Sequence, residues 1–340
     1  MYNYFNSTKM LFLSLMIIST TFSLSSLSMV NMWMGMEVNL ISFIPIMINS
    51  NNKFSSESMM SYFLIQSLSS ANFLFSVLLI ISLSKWFNLT SMKSMIIIFL
   101  MNISLMMKVG AAPFHFWFPK TMKGLNWMNC LILSTWQKIL PMITISYCYL
   151  SNLIMLIAII STIIGSFMGL MQTSLQMILT YSSIAHIGWM LMSLMLKLSI
   201  WMIYFITYSL ITSILMILFK ILNIYQLNQI YSNKSNISSY FIMFNLLSLS
   251  GLPPFLGFLP KWMVINLMIN NNLMLVTFVL IMMSLINMYF YIRITYTYFM
   301  LNFYEPKFIT PQFNHQLLIL MLTACSMFGL ILSPLILLNN

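Results

Sequence analysis

Apolar runs of about 17 to 27 residues follow one another along nearly the whole chain, each closed by a short polar or turn-forming stretch. They cover roughly 10–28, 31–48, 57–83, 93–109, 125–148, 152–171, 174–195, 200–222, 238–258, 273–297 and 315–337. No soluble fold needs that succession. In lipid every backbone amide must be satisfied within the protein, so the runs read as about eleven transmembrane helices and the fold class as all-α and polytopic. Charge agrees: 14 Lys or Arg and 3 Glu make 5% of 340 residues, where a soluble protein carries about 25%. A water-facing shell cannot be built from so few.

The net charge of +11 reflects scarce acids more than a basic surface. Lysines are scattered singly, with Lys120 and Lys123 the closest pair, so the basic stripe of a nucleic-acid binder is missing. Cys130, Cys148 and Cys325 stand alone in apolar stretches and read as fillers, since a disulfide framework or iron–sulfur site needs paired or clustered cysteines. The first run follows Lys9, but no small-residue cleavage site stands out and another run comes almost at once, so it is expected to be retained. Assigning loops alternately to two sides puts Lys9, Lys53, Lys120, Lys123, Lys220, Lys234, Arg293 and Lys307 with the N-terminus, and Lys85, Lys93 and Lys197 opposite. The positive-inside rule then places the N-terminus on the cytoplasmic or matrix side.

Four charged residues fall inside the runs or at their broken ends: Glu37, Lys108, Lys138 and Lys261. Each costs about 2.5–3.5 kcal/mol at a helix centre, so each calls for a cavity, a partner or a task. Lys138 lies 13 residues into its run, about 20 Å along a helix and near the bilayer middle. A buried lysine or carboxylate whose protonation responds to its neighbours suits proton handling. For Glu37 the alternative is an ion pair that serves assembly only.

A repeat accompanies them. Gly110-Ala-Ala-Pro113-Phe114-His-Phe-Trp-Phe-Pro119-Lys120 and Gly251-Leu-Pro-Pro254-Phe255-Leu-Gly-Phe-Leu-Pro260-Lys261 share the pattern G-x-x-P-F-x-x-x-x-P-K at an offset of 141 residues. Proline removes a donor and clashes with the preceding turn, so Gly110–Pro119 and Gly251–Pro260 are expected to break two helices. Unwound backbone at membrane depth needs a cavity, and interrupted spans at matching places in two halves point to a transport site. A five-span unit would invert between halves; two unrelated proline kinks are the alternative.

Other chemistry is scarce. With no Asp, three separated Glu and no Gly-rich phosphate loop, neither paired-carboxylate catalysis nor a nucleotide site can be assembled. Of His115, His186 and His315, only the first two are placed to hold water or relay a proton, His115 inside the first break and His186 in Ser182-Ser183-Ile-Ala-His186; each is as readily explained by a bond to a backbone carbonyl. Glu57 after Ser55 and Ser56 reads as dipole compensation at a helix start, and Glu305 lies near Lys307 in a loop. Gly165 and Gly169 form a G-x-x-x-G that permits close helix contact. The 37 Met are apolar filling.

The segments Trp33-Met-Gly-Met-Glu37-Val-Asn39, Lys108-Val-Gly-Ala-Ala-Pro113-Phe-His115, Thr135-Trp136-Gln137-Lys138-Ile-Leu-Pro141, Ser182-Ser-Ile-Ala-His186-Ile-Gly-Trp189 and Gly251–Trp262 resemble the mitochondrially encoded, antiporter-like membrane subunits of respiratory complex I, in the right order over nearly the whole chain. The excess of Met, Ile and Asn looks like an AT-rich mitochondrial genome of an insect or related animal. The resemblance implies inverted five-helix repeats with a discontinuous helix in each, over 1–148 and 149–300, then a loop and C-terminal helix over 301–340. It implies an N-terminus about three helices shorter than in bacterial members. It also implies roles: Glu37 paired with Lys108, Lys138 as central relay, Lys261 as terminal relay. No cofactor is implied in this chain, with NADH, FMN, iron–sulfur clusters and ubiquinone bound by other subunits. The implied partners are membrane lipids and other membrane subunits, 4L and 4 among them, in the mitochondrial inner membrane. A free-standing cation/proton antiporter of the related fold is the alternative function, and a membrane spacer a weaker one.

Overall fold

The computed structural model describes residues 7–48, 54–86, 91–232 and 237–301. Glu305, Lys307, His315, Cys325 and the run at 315–337 lie outside them, as do the loop residues Lys53 and Lys234. The described residues form helices α1 (Ser7–Ser25), α2 (Met29–Met47), α3 (Phe54–Trp86), α4 (Ser91–Val109), α5 (Trp117–Gly124), α6 (Trp127–Ser134), α7 (Trp136–Tyr147), α8 (Ser151–Leu170), α9 (Leu175–Leu196), α10 (Leu198–Leu222), α11 (Leu227–Ser232), α12 (Ile237–Ser250), α13 (Phe258–Asn270) and α14 (Met274–Leu301). The fold is an all-α membrane architecture. Seven of these helices, α1, α2, α3, α8, α9, α10 and α14, are long and apolar enough to cross a bilayer, and two shorter apolar stretches, Met95–Val109 and Ser239–Ser250, end just before Gly110 and Gly251.

Local chemistry explains why such sequences stay helical in lipid. Large side chains left on the outside are apolar, such as Ile18, Phe63, Leu156 and Phe278. Hydroxyls buried between helices turn back onto their own helix: Ser19 donates to the Met16 carbonyl at 2.9 Å, Ser76 to Phe73 at 2.6 Å and Ser161 to Ala158 at 2.9 Å. That bond satisfies the polar group inside its own turn. Ser28 caps α2 by accepting from the Asn31 amide. Glu57 sits in the first turn of α3, where a negative charge complements the helix dipole.

The chain divides into two compact units, residues 1–157 and 158–340, with the division inside α8. In the first, α2 packs on α1 through Gly35, where an added Cβ would lie 2.5 Å from the Ser23 Cβ. In the second, a Cβ at Gly165 of α8 would lie 2.6 Å from the Ala185 amide of α9, and Gly188 of α9 is equally tight against Ser161 and Thr162. Small residues let helix backbones meet where no hydrophobic force draws them together. The close approach expected at Gly165 is present, and Gly169 faces the Phe290 ring of α14. The central element of the second unit is α9, buried along most of its length. Cys130 is buried and Cys148 half-buried, both as free thiols.

Two boundaries differ from the sequence reading. The breaks are shorter than Gly110–Pro119 and Gly251–Pro260, because helix resumes at Trp117 and Phe258. Pro119 and Pro260 are each the third residue of the resumed helix, where a missing amide donor leaves no intrahelical bond unmade. The run at 125–148 is two helices, α6 and α7, parted at Thr135 (φ −115°, ψ −71°). There the Thr135 hydroxyl bonds the Leu131 carbonyl at 2.7 Å, and the Lys138 amide reaches Thr135 at 3.2 Å in a tighter turn. Pro141 follows one and a half turns later inside α7, removing a further backbone donor.

Candidate functional site

Glycine makes each break. Gly110 has φ +77° and Gly251 φ +82°, a left-handed backbone that costs other residues about 1–2 kcal/mol. At the end of α4 the Ala111 amide bonds the Met106 carbonyl and the Gly110 amide bonds Met107, the paired closure of a Schellman motif. At the end of α12 only the second of these bonds is made, from the Gly251 amide to Ser248. The Leu247 carbonyl accepts from the Ser250 hydroxyl at 2.5 Å instead.

The remaining carbonyls are capped by side chains, differently in each unit. In the first, Trp117 Nε1 donates to Met107 at 3.1 Å and Gln66 Nε2, from α3, to Lys108 at 3.1 Å. Lys108, 6% exposed, stands in the last turn of α4 with its Nζ 3.6 Å from the Met36 Sδ of α2. A cation there also complements the helix dipole. Glu37, half-buried one residue along, acts electrostatically on Lys108 and on the buried Tyr62. Among the described residues Glu37 and Lys108 form no direct ion pair. His115 is buried within the break, stacked on Phe116 with ring centroids 4.4 Å apart, with the Pro113 backbone as its polar neighbour.

Lys138 is 2% exposed in the first turn of α7, its Nζ 5.2 Å from the Phe118 ring centroid of α5, within cation–π range. The residue before it, Gln137, pairs reciprocally with Asn39 of α2: Asn39 Nδ2 donates to Gln137 Oε1 at 3.0 Å, and Gln137 Nε2 to Asn39 Oδ1 at 3.2 Å. The Tyr62 hydroxyl also donates to Gln137 Oε1, at 3.4 Å. Beside this pair lies a cavity of about 20 Å³, lined by Lys108, Tyr62, Gln66, Asn39 and Gln137. Space of that size holds about one water. The first unit thus gathers Lys108 and an amide–phenol cluster around one small polar space, with Glu37 acting on Lys108 electrostatically.

In the second unit Lys261 of α13, 6% exposed, reaches back over the break and donates to the Ser250 carbonyl at 2.7 Å. His186 of α9 bonds the Tyr204 hydroxyl of α10 through Nδ1 at 2.9 Å, with the Tyr208 ring 5.2 Å away. Tyr208 meets the Ser183 side chain, and Tyr291 of α14 meets Ser182. The hydroxyls of the serine pair read as hydration partners of His186 donate to carbonyls of their own helix, Ser182 to Leu179 at 3.0 Å and Ser183 to Thr180 at 2.7 Å.

The sequence reading missed Tyr62, Gln66, Asn39, Gln137 and the three tyrosines of the second unit. The available signal was cost: a carboxamide in an apolar span needs a partner, and Asn39 and Gln137 lie two and one residues from charges already singled out. Among the described residues no group of three or more His, Cys, Asp or Glu could hold a metal ion.

Residues 26–287 match the family described as NADH:quinone oxidoreductase/Mrp antiporter, TM. The chain is 41% identical over 342 residues to NADH-ubiquinone oxidoreductase chain 2 of Locusta migratoria, covering 97% of each chain. It is 44% identical over 312 residues to the Anopheles gambiae protein of the same name, covering 90% of this chain and 91% of that one. Among solved structures, a chain of respiratory complex I from Thermus thermophilus with bound Aureothin superposes with a TM-score of 0.83 at 20% identity, over 96% of this chain and 79% of that chain. That likeness is one of fold.

Proposed function

The chain belongs to the NADH:quinone oxidoreductase/Mrp antiporter family, and from this we propose that it is a core membrane subunit of respiratory complex I that takes part in proton translocation. It is a multi-pass membrane protein and part of NADH:ubiquinone reductase, working beside other subunits of that complex. NADH oxidation and ubiquinone reduction take place on those other subunits, with FMN and iron–sulfur clusters bound there. Subunits 4L and 4 are its neighbours in the mitochondrial inner membrane, and its N-terminus faces the matrix.

The observation that carries this reading is the burial of Lys108, Lys138 and Lys261, each less than a tenth exposed and each beside a helix break. An ammonium group kept out of water needs a counter-charge, a dipole or a water to compensate it. The compensating group differs at each lysine: Glu37 and a small polar cavity at Lys108, the Phe118 ring at Lys138, the Ser250 carbonyl at Lys261. Moving a helix end by an ångström changes which lysine is best compensated, so motion driven by partner subunits can drive proton transfer. In this reading Glu37 pairs with Lys108, Lys138 is the central relay and Lys261 the terminal relay; His115 and His186 serve as further relay groups.

Lys138→Met tests the reading. Methionine follows the lysine stem and removes a buried charge, so the complex should assemble while proton pumping coupled to NADH oxidation falls. Assembled complex with full pumping would overturn the relay role. Co-migration of the chain with complex I on native gels tests the partnership, and activity of the isolated chain in vesicles would favour a free-standing antiporter.

A further inference from the structure

We propose that Asn39 and Gln137 form a carboxamide latch that, with one water held against Lys108, decides whether protons can pass between Lys108 and the first turn of α7, where Lys138 stands. The proposal deepens the proton-path reading and rests on it.

Three observations carry it. The first is saturation. A glutamine side chain offers two N–H donors and two acceptor positions, and Gln137 uses all four. Its oxygen accepts from Asn39 and Tyr62, and its nitrogen donates to Asn39 Oδ1 and to the Met16 Sδ of α1 at 3.4 Å. No capacity is left for a water unless one of these bonds opens. A carboxamide neither gains nor loses a proton near neutrality, so the closed pair cannot itself relay one.

The second is the cavity. Lys108, Tyr62 and Gln66 border the same 20 Å³ as the pair does, and among the described residues the Lys108 ammonium, with three donors, meets only the weak Met36 thioether as a hydrogen-bond partner. A water there accepts from Lys108 and, while the latch is closed, finds Gln137, the residue next to Lys138, fully engaged. The third is the break at Thr135. It frees the first turn of α7 from α6 two residues before Gln137, so that turn can tilt without unwinding either helix.

Closed, the latch clamps α7 to α2 and isolates Lys108. Open, it exposes two amide faces to which further water can bond, and the hydrogen-bonded route continues toward Lys138. The weakest of its bonds, the 3.4 Å contact from Tyr62, is the one that gives first. Asn39 and Gln137 are positioning residues: they hold the route shut or open and take no proton themselves.

The test uses intact complex in sealed membranes, comparing proton-gradient formation per NADH oxidised. Gln137→Met and Asn39→Leu remove one carboxamide each at similar size. Each should leave NADH oxidation running while the gradient formed per NADH falls about twofold or more, the low end for coupling mutations. The exchange Asn39→Gln with Gln137→Asn keeps one long and one short carboxamide and should restore most of the loss, which a merely structural role would not predict. Wild-type coupling in either assembled single variant, or an exchange no better than the singles, would overturn the latch. If a single variant fails to assemble, Gln137→Asn alone replaces it: it keeps a carboxamide but draws it back from Asn39 by one methylene, so coupling should fall with assembly kept, and unchanged coupling sinks the proposal. Lys138→Met is run alongside. Loss of coupling there with intact coupling in the latch variants means the latch alone is wrong, and full coupling in Lys138→Met means the proton-path reading has failed.

Discussion

The two breaks share a backbone but not a charge. An offset of 141 residues sets Gly110 on Gly251 and Lys120 on Lys261, and both glycines adopt the same left-handed conformation. Yet Lys261 is buried and Lys120 exposed, while Lys108, the buried lysine of the first break, matches Leu249 in the second. One break holds its ammonium before the glycine, the other after it. The caps follow the same exchange. Trp117 and Gln66 donate to carbonyls in the first break; among the described residues their counterparts, Phe258 and Thr207, make no equivalent bond in the second, where Lys261 donates instead. The geometry of a break is fixed by glycine and proline; which side chain quiets its carbonyls is decided by packing. Lys108 is therefore free of backbone duty and can answer to Glu37, whereas Lys261 is both a cap and a charge.

The difference predicts unequal losses. Lys261→Met removes a charge and leaves the Ser250 carbonyl uncapped, and a buried acceptor without a donor costs about 1–3 kcal/mol. Lys108→Met uncaps nothing, since the carbonyls near it are held by Trp117 and Gln66. Both variants should lose coupling, but only Lys261→Met should also lower the yield or thermal stability of assembled complex. Equal assembly in the two would break the comparison.

Backbone variants come next in size. Gly110→Ala and Gly251→Ala each force a Cβ into the left-handed region, at about 1–2 kcal/mol. At Gly251 that Cβ would also stand 3.0 Å from the Lys261 Nζ, while at Gly110 it meets the edge of Trp117 at 3.3 Å. Gly251→Ala should thus displace the cap and cost more, and thermal unfolding of the two assembled complexes would rank them.

How much was legible follows from where the information sits. Gly110, Gly251 and the prolines act on their own backbone, so the breaks were readable and erred only in length. The cost of burying Lys108, Lys138 and Lys261 is a property of the residue and its apolar run, so these too could be singled out. Thr135 could not: neither glycine nor proline stands at that position, and the helix parts there through bonds to Leu131 and the tighter turn before Lys138. Nor could the pairing of Asn39 with Gln137, 98 residues apart, because a single sequence carries no trace of which amide meets which.

The smallest effect is expected where the motif repeats and the packing does not. Lys120 occupies the same place in G-x-x-P-F-x-x-x-x-P-K as Lys261, so reading by motif alone assigns it a proton role. It is exposed on α5 and makes no hydrogen bond or ion pair among the described residues, so its removal uncovers no carbonyl and strands no partner. Lys120→Met should leave assembly and the gradient formed per NADH unchanged, with Lys261→Met as the contrasting arm. An impermeant amine reagent applied from the matrix face should modify Lys120 in wild-type complex and not Lys261, consistent with the side to which most loop lysines are assigned. Loss of coupling in Lys120→Met would mean that the motif position, and not burial, selects the working lysine.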